Sequence, residues 1–465
     1  MVVGEFTQET DLVIIGGGPG GYSAAFRAAE LGQSVIIVDT RNALGGVCLH
    51  EGCVPSKTLL NIADVINSGL DAGKFGIEFS PPSINHDLVR SWTNKTIETL
   101  ASGLESLSKK HDIDRIQGRA YFEDSRILHI LDGSIPRVRF RRAIIATGSQ
   151  PLSHPGLPFD GTLVLSPDQA ATLPSVPGKL LIIGSDYMAA EMACIYATLG
   201  SRVWLVAEDD RPLPEADKDI VRPLQRSLAD KLEGLHLNCS SENAEADKNT
   251  VTFSFEGKNV PEQKTFDAVI VSRGRKANLS ELKLEKTGVT LDEDGFITID
   301  DQMRTSDARI YGVGDVTGPP LLANKAIHQG RICAEVIAGQ SVGFDAQVFP
   351  MVVHTDPQVA WCGMSEAEAR EDDLDFAVIK IPWGASGLAT GMGRTDGMTK
   401  LIYEKTSGAI LGVAMTGVGA GEMIAEAALA LEMGAVVADL AATLHPHPSR
   451  SELLSDAAGQ ADSVE

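Results

Sequence analysis

The sequence predicts an α/β protein with two Rossmann-like nucleotide-binding units and a separate α+β domain at its C-terminus. Three observations predict it. An apolar run, a glycine cluster, an alanine-rich stretch and a second apolar run succeed one another within the first 45 residues. The same succession returns about 168 residues later, with Leu180 in the place of Leu12, so a strand–helix–strand unit is repeated. Beyond residue 350 the pattern changes to separate apolar strands followed by two helical stretches.

Leu12–Ile15 reads as a buried strand, Gly16–Gly21 as a turn and Tyr22–Leu31 as a helix that Gly32 stops. Ser34–Val38 is the second strand, and Asp39 ends it. In the second copy Leu180–Ile183 is a strand, Gly184 a turn, Ala189–Leu199 a helix stopped by Gly200, and Arg202–Val206 a strand. Pro151–Pro177, rich in Pro, Ser and Gly, reads as a connection between the two. In the last part, Val352, Val359 and Trp361, Lys400–Tyr403 and Ile410–Ala414 suggest strands. Gly421–Met433 and Ala435–Leu444 suggest helices, and Ala457–Glu465 suggests a frayed tail.

Composition narrows the function. Of 465 residues, 43% are apolar and 22% charged, which excludes a disordered chain. The net charge of −23 argues against nucleic acid or an anionic membrane as partner, because both need basic patches. No run of 18 apolar residues occurs, so no membrane span is expected. The start, with Glu5, Glu9 and Asp11, has the wrong charge for a secretory or organellar leader. Six cysteines are too few for a disulfide scaffold, so a cytoplasmic chain is expected, in which a close cysteine pair serves chemistry.

Gly16-Gly17-Gly18-Pro19-Gly20-Gly21 satisfies G-x-G-x-x-G between strand and helix. Gly16, Gly18 and Gly21 allow a tight turn, approach of backbone N–H groups to a pyrophosphate, and close helix–strand packing. The helix N-terminus adds about half a positive charge. Asp39 lies 18 residues past Gly21, where an acid can bond a ribose hydroxyl.

Nine residues beyond Asp39 come Cys48 and Cys53. Five residues of regular helix rise about 7.5 Å, whereas a disulfide needs Cα atoms within about 7 Å. If the two bridge, they cannot share an undistorted helix, and Gly46 and Gly52 supply the backbone freedom for a break. Two thiols beside a flavin are suited to passing two electrons. Buried inert thiols are the bland alternative. A zinc site with His50 lacks a matching second Cys pair, so no metal is expected.

The run Gly46-Val47-Cys48-Leu49-His50-Glu51-Gly52-Cys53-Val54-Pro55-Ser56-Lys57 closely resembles the redox-disulfide signature of the dihydrolipoamide dehydrogenases, flavin-dependent pyridine nucleotide–disulfide oxidoreductases. The likeness covers nearly the whole chain. Ala146-Thr147-Gly148-Ser149 resembles the family's crossover out of the flavin domain. Tyr311-Gly312-Val313-Gly314-Asp315 resembles its second flavin contact, Leu322-Ala323-Asn324-Lys325-Ala326 the segment after it, and His445-Pro446-His447-Pro448-Ser449-Arg450-Ser451-Glu452 its catalytic histidine–glutamate element.

The resemblance implies FAD as cofactor and three domains in four segments: 1–150 and 277–346 together binding FAD, 151–276 of NAD(P)-binding type, and 347–465 forming a homodimer interface. Cys48 becomes the thiol that exchanges with substrate, and Cys53 the thiol facing the flavin. Lys57 lies near the flavin, paired with Glu191. Ala120, Thr147, Gly148, Asp315 and Ala323 join Gly16, Gly18, Gly21 and Asp39 in the flavin cradle. Gly184, Ala189 and Gly274 belong to the NAD site. His447, oriented by Glu452, serves the disulfide of the other subunit, and a lipoyl-carrying protein or domain is the implied partner. The histidine also follows from chemistry: a base of near-neutral pKa takes the proton of an incoming thiol, and a carboxylate on its other nitrogen fixes its tautomer. Pro448 suits a first helical turn, which would put Glu452 just over a turn further on.

The second motif departs from the pattern. It reads Gly184-Ser185-Asp186-Tyr187-Met188-Ala189, with Asp186 where a glycine lets the backbone approach the pyrophosphate. Asp186 can cap the helix and fill the anion seat itself. Ala207 stands where the family carries its ribose acid, Glu208 comes one place late, and no Arg or Lys occupies 207–210 for the extra phosphate of NADP. Asp39 replaces the usual Glu, Asn324 a common His, and His354 a common Tyr. The expected function is oxidation of protein-bound dihydrolipoyl groups through a Cys48–Cys53 disulfide and FAD to NAD⁺. Two alternatives stand beside it: a specialised paralogue with weakened or lost NAD binding, serving a dedicated carrier or another acceptor, and a non-catalytic FAD-bound assembly subunit.

Overall fold

In the computed structural model residues 7–461 are described. The chain divides into two compact units. One is built from the residues up to Pro55, from Arg90–Leu152 and from Gly274–Asp345; the other from Ser56–Val89, Ser153–Arg273 and Ala346 onward.

The first unit centres on a seven-stranded sheet. Strand β1 (Thr7–Ile15) pairs in parallel with β2 (Val35–Asp39) on one side and with Arg137–Ile145 on the other. Leu12 to Ile15 are apolar without alternation because both faces of the strand are covered. Helix α1 (Pro19–Glu30) crosses between β1 and β2 with Pro19 in its first turn, three residues before the helix expected from the sequence. It packs on the helix Ala323–Ile337 so closely that a Cβ on Gly330 would lie 2.3 Å from the Gly20 carbonyl oxygen. Short helix α2 (Gly46–His50) and long helix α3 (Cys53–Asp71) follow.

In the second unit, β3 (Lys179–Ile183), α4 (Tyr187–Thr198) and β4 (Arg202–Val206) form the repeated motif. The five parallel strands run Gly234–His236, β4, β3, β5 (Ala268–Val271) and Val164–Leu165. The Pro-rich stretch read as a connection thus contributes that last strand, followed by the helix Pro167–Ala171, whose start is held by reciprocal bonds between Ser166 and Gln169. From Met351 onward a five-stranded antiparallel sheet forms, ordered Met351–Val353, Gln358–Gly363, Ile410–Gly417, Met398–Glu404, Phe376–Pro382.

Two expectations need correction. The tail is helix α5 (Glu452–Ala461), with Leu453, Leu454, Ala457 and Ala458 buried, so packing holds Ala457–Ala461; the remaining tail residues lie outside the described residues. Pro448 is in no helix: Glu452 itself opens α5. No helix among the described residues is long and apolar enough to cross a membrane.

Candidate functional site

The first glycine motif makes a cradle. Gly16 has φ +104°, and a Cβ there would lie 2.3 Å from the Ala146 carbonyl oxygen, so only glycine fits between the ends of β1 and Arg137–Ile145. A Cβ on Gly21 would lie 1.8 Å from the Gly16 oxygen, which ties turn to helix. Asp39 Oδ2 accepts the Gly17 N–H at 2.6 Å and its Oδ1 the Arg41 N–H at 2.7 Å, so the acid is aimed over the turn. Thr147 Oγ1 is buried without a hydrogen-bond partner among the described residues, although buried hydroxyls are normally satisfied. Gly148, at φ +70°, faces open space. Asp315 Oδ2 accepts from Ser149 Oγ at 2.6 Å, and Arg275 Nε donates to the same hydroxyl at 2.7 Å. Ala323 opens the helix Ala323–Ile337, and Ala120 is buried in the strand Arg119–Asp124. A glycine turn at a helix N-terminus, an aimed acid and an orphaned hydroxyl are the features of a site for a dinucleotide.

Cys48 and Cys53 lie close together in this unit. The helix is broken between them: α2 ends at His50, α3 begins at Cys53, and Gly52 N–H turns back to the Val47 oxygen at 2.7 Å. Gly45 (φ +122°) and Gly46 (φ +57°) are left-handed at the start of α2, ahead of both cysteines. At the break itself the backbone leaves the helix at Glu51 (φ −140°), and Gly52 is not left-handed, so the freedom expected of it is not used. Cys48 is half-buried and Cys53 exposed. The Tyr22 hydroxyl senses both sulfurs: burial first, then the charges of Cys48 and Cys53, push its pKa up. Tyr22 was not singled out from sequence, though it directly follows the glycine motif.

In the second unit, Lys57 Nζ donates to Glu191 Oε2 at 2.7 Å and to Oε1 at 2.9 Å. Glu191 is fully buried, and the His354 N–H also donates to its Oε1 at 2.9 Å. Burial and the Lys57 charge hold the His354 ring below its ordinary pKa. His354, noticed in the sequence only as a departure, is therefore part of this buried pair's shell. His447 Nδ1 lies 2.6 Å from Glu452 Oε1, and Glu452 Oε2 accepts the Ser449 N–H at 2.7 Å. These two contacts, Ser449 first, hold the Glu452 carboxyl below its usual range. His445 makes a second pair with Glu426 at 2.7 Å.

The second glycine motif repeats the tight turn, but the start of its helix is capped by a side chain, which the first helix lacks. Gly184 (φ +133°) packs on the Ser272 backbone, and Ala189 N–H donates to Asp186 Oδ1 at 2.9 Å. Gly274 (φ +86°) belongs to the first unit.

Two dinucleotide-type units and a close cysteine pair beside the first of them define a flavin-type disulfide oxidoreductase. Residues 10–330 match the family model "Pyridine nucleotide-disulphide oxidoreductase", and residues 349–458 match that family's dimerisation domain. The chain belongs to this family. It is 41% identical over 452 residues to a dihydrolipoyl dehydrogenase of Haemophilus influenzae, covering 97% of this chain and 94% of the relative. It is 38% identical to a dihydrolipoyl dehydrogenase of Bacillus subtilis, covering 98% and 97%. Among solved structures it is similar to LpdA from Mycobacterium tuberculosis, with a TM-score of 0.89, 26% identity, and coverage of 97% of this chain and 99% of that one. It is also similar to a HOCl-induced flavoprotein disulfide reductase, RclA, from Escherichia coli, with a TM-score of 0.85 and 26% identity.

Proposed function

We propose that the chain oxidises the dithiol of a dihydrolipoyl group carried on a protein, using a Cys48–Cys53 disulfide and FAD held in the first unit. The observation that carries this is the closeness of Cys48 and Cys53 immediately after the glycine cradle. Backbone N–H groups at the start of α1 would meet the pyrophosphate, Asp39 a ribose hydroxyl, and Thr147 and Asp315 the chain between pyrophosphate and ring. Bound there, FAD supplies an acceptor for the two electrons of the dithiol.

The chain's residues handle sulfur and protons. An incoming thiolate attacks Cys48; its S–S bond to Cys53 breaks, and a mixed disulfide forms. The second substrate thiol then displaces Cys48, leaving oxidised lipoyl and a reduced cysteine pair. With Nδ1 engaged by Glu452, His447 Nε2 is the position that takes the substrate proton. The Lys57–Glu191 pair places an ammonium one helical turn beyond Cys53. The family's dimerisation domain supports a homodimer, in which His447 of one subunit would serve the disulfide of its partner. The remaining cysteines suit the reducing cytoplasm: Cys194, Cys239, Cys333 and Cys362 are buried, and burial raises the thiols of Cys194 to about 11 and Cys362 to about 12.

The experiment is anaerobic addition of dihydrolipoamide to FAD-loaded protein. A change in the visible flavin spectrum is expected, and Cys48→Ser or Cys53→Ser should abolish it. An unchanged spectrum in flavin-loaded wild type would reject the proposal.

A further inference from the structure

A dinucleotide on an open α/β sheet lies across the carboxyl ends of its central strands, with phosphates at a helix N-terminus. In the second unit those ends belong to β3, β4 and β5, and they are joined to one another by the chain's own side chains. Asp186 is the N-cap of α4: its Oδ1 takes the Ala189 N–H at 2.9 Å. Both its oxygens also take the hydroxyl of Ser272, which directly follows β5, at 2.7 Å. Ser185, beyond β3, donates to Asp209 Oδ2, beyond β4, at 2.5 Å. Glu208 and Arg273 meet at 3.3 Å, joining the loops after β4 and β5.

We infer that this crevice is closed to both NAD(H) and NADP(H): the Asp186 carboxylate occupies the phosphate seat, and three side-chain links bind the strand ends together over it. The inference rests on the proposed dithiol chemistry, and it makes pyridine nucleotide an acceptor this chain does not use. The residues do not fit the family's second cofactor at four points. The helix N-terminus, whose partial positive charge attracts phosphate, is already neutralised by an anion. Pyrophosphate would have to displace that anion against like-charge repulsion. The ribose position offers the buried methyl of Ala207. Arg211 is engaged by Asp210 at 2.7 Å and the Pro214 oxygen at 2.6 Å, and Arg273 by Glu208 at 3.3 Å, so both arginines of these loops already have partners where the NADP phosphate would need a cation. The carboxyl of Glu215 reports the local field: burial first, then the charges of Asp186 and Asp209, push its pKa up.

The test is titration of FAD-loaded protein with NADH and NADPH, read by calorimetry and by nicotinamide fluorescence. No saturation is expected up to about 1 mM. The double variant Asp186→Gly/Ala207→Glu, checked for flavin content and melting temperature, should bind NADH at least tenfold more tightly than wild type. Micromolar binding by wild type would overturn the inference, and so would a folded double variant with no gain. Should that variant fail to fold, Ser272→Ala breaks one link with a smaller change; an unaltered NADH isotherm there also counts against the inference. Dihydrolipoamide added to the same wild-type preparation tests the dithiol reading by itself. Loss of that response and binding of NADH are therefore separate failures.

Discussion

The His447 ring is 84% exposed in its side chain, whereas its partner Glu452 is held by the Ser449 N–H. The carboxylate is thus fixed first and the imidazole is positioned on it. Because the Glu452 pKa is lowered, that group stays ionised below the usual carboxylate range, and a fall in rate between pH 7 and pH 5 does not come from it. Glu452→Gln keeps the shape and removes the charge. Dithiol-driven change of the flavin spectrum should slow by about tenfold or more, measured by stopped flow, with the acid limb of the pH profile displaced. An unchanged rate would show that the carboxylate does not support the base. At this scale the sequence was informative wherever chemistry is local: the glycine turn, Asp39, the cysteine pair and the histidine–glutamate spacing are all read within a few residues. Of the long-range partners, the Lys57–Glu191 pair came only through the family resemblance, and the others were not legible. His354 meets Glu191 across 163 positions, and nothing near either residue marks that contact.

Among the elements, the antiparallel sheet is fastened to the second glycine unit by a buried cation. Lys400, in the strand Met398–Glu404, has a fully buried side chain, and its Nζ lies 2.7 Å from Asp217, 3.1 Å from Asp219 and 2.5 Å from Glu366. The three acids have the spacing of a metal site, and the ammonium stands where an ion would. Burial opposes the charge on Lys400, but its hydrogen bonds to Asp217 and Glu366 prevail and raise its pKa. Burial likewise opposes ionisation of Asp219 and Glu366, yet the bonds from Lys380 and Lys400 lower both. The depressed acids contribute stability above their ordinary range and lose it as pH falls through their folded values; the raised lysine contributes until pH climbs through its own. The cluster is therefore at full strength between roughly pH 5 and pH 10. Lys400→Met leaves three carboxylates facing one another and should cost about 3–5 kcal/mol at pH 7, read as an earlier denaturant transition. The gap should narrow below pH 4. Elements with one strong local signal were legible, as with β1, α1, β3 and α4. The tail helix was not. Its apolar stripe of Leu453, Leu454, Ala457 and Ala458 was present, but a polar end concealed it, and only packing shows that it is buried. Val164–Leu165 is a strand only because a sheet edge receives it, a fact no dipeptide carries.

For the whole molecule, the surface of a single chain leaves work for a second copy. Leu429, Met433 and Leu444 are 61%, 75% and 98% exposed, all within the span matched by the dimerisation domain, and apolar side chains grouped on one domain mark an association surface. His447 lies three residues past Leu444. A strongly exposed base next to such a surface is suited to act on a thiol pair that another subunit brings. The arrangement has a combinatorial consequence. Take Cys48→Ser protein and His447→Gln protein, each inactive alone, unfold them together and refold with FAD. A twofold dimer assembles at random into about one quarter, one half and one quarter of the three species. If each site joins one chain's cysteines to the other chain's histidine, the mixed dimer has one site with both lesions and one with neither. About a quarter of all flavin should then respond rapidly to dihydrolipoamide. If each histidine served its own chain's cysteines, both sites of the mixed dimer would carry a lesion and no rapid phase would appear. Omitting the unfolding step should abolish the recovered phase, because subunits that bury an apolar surface together do not exchange on the timescale of mixing.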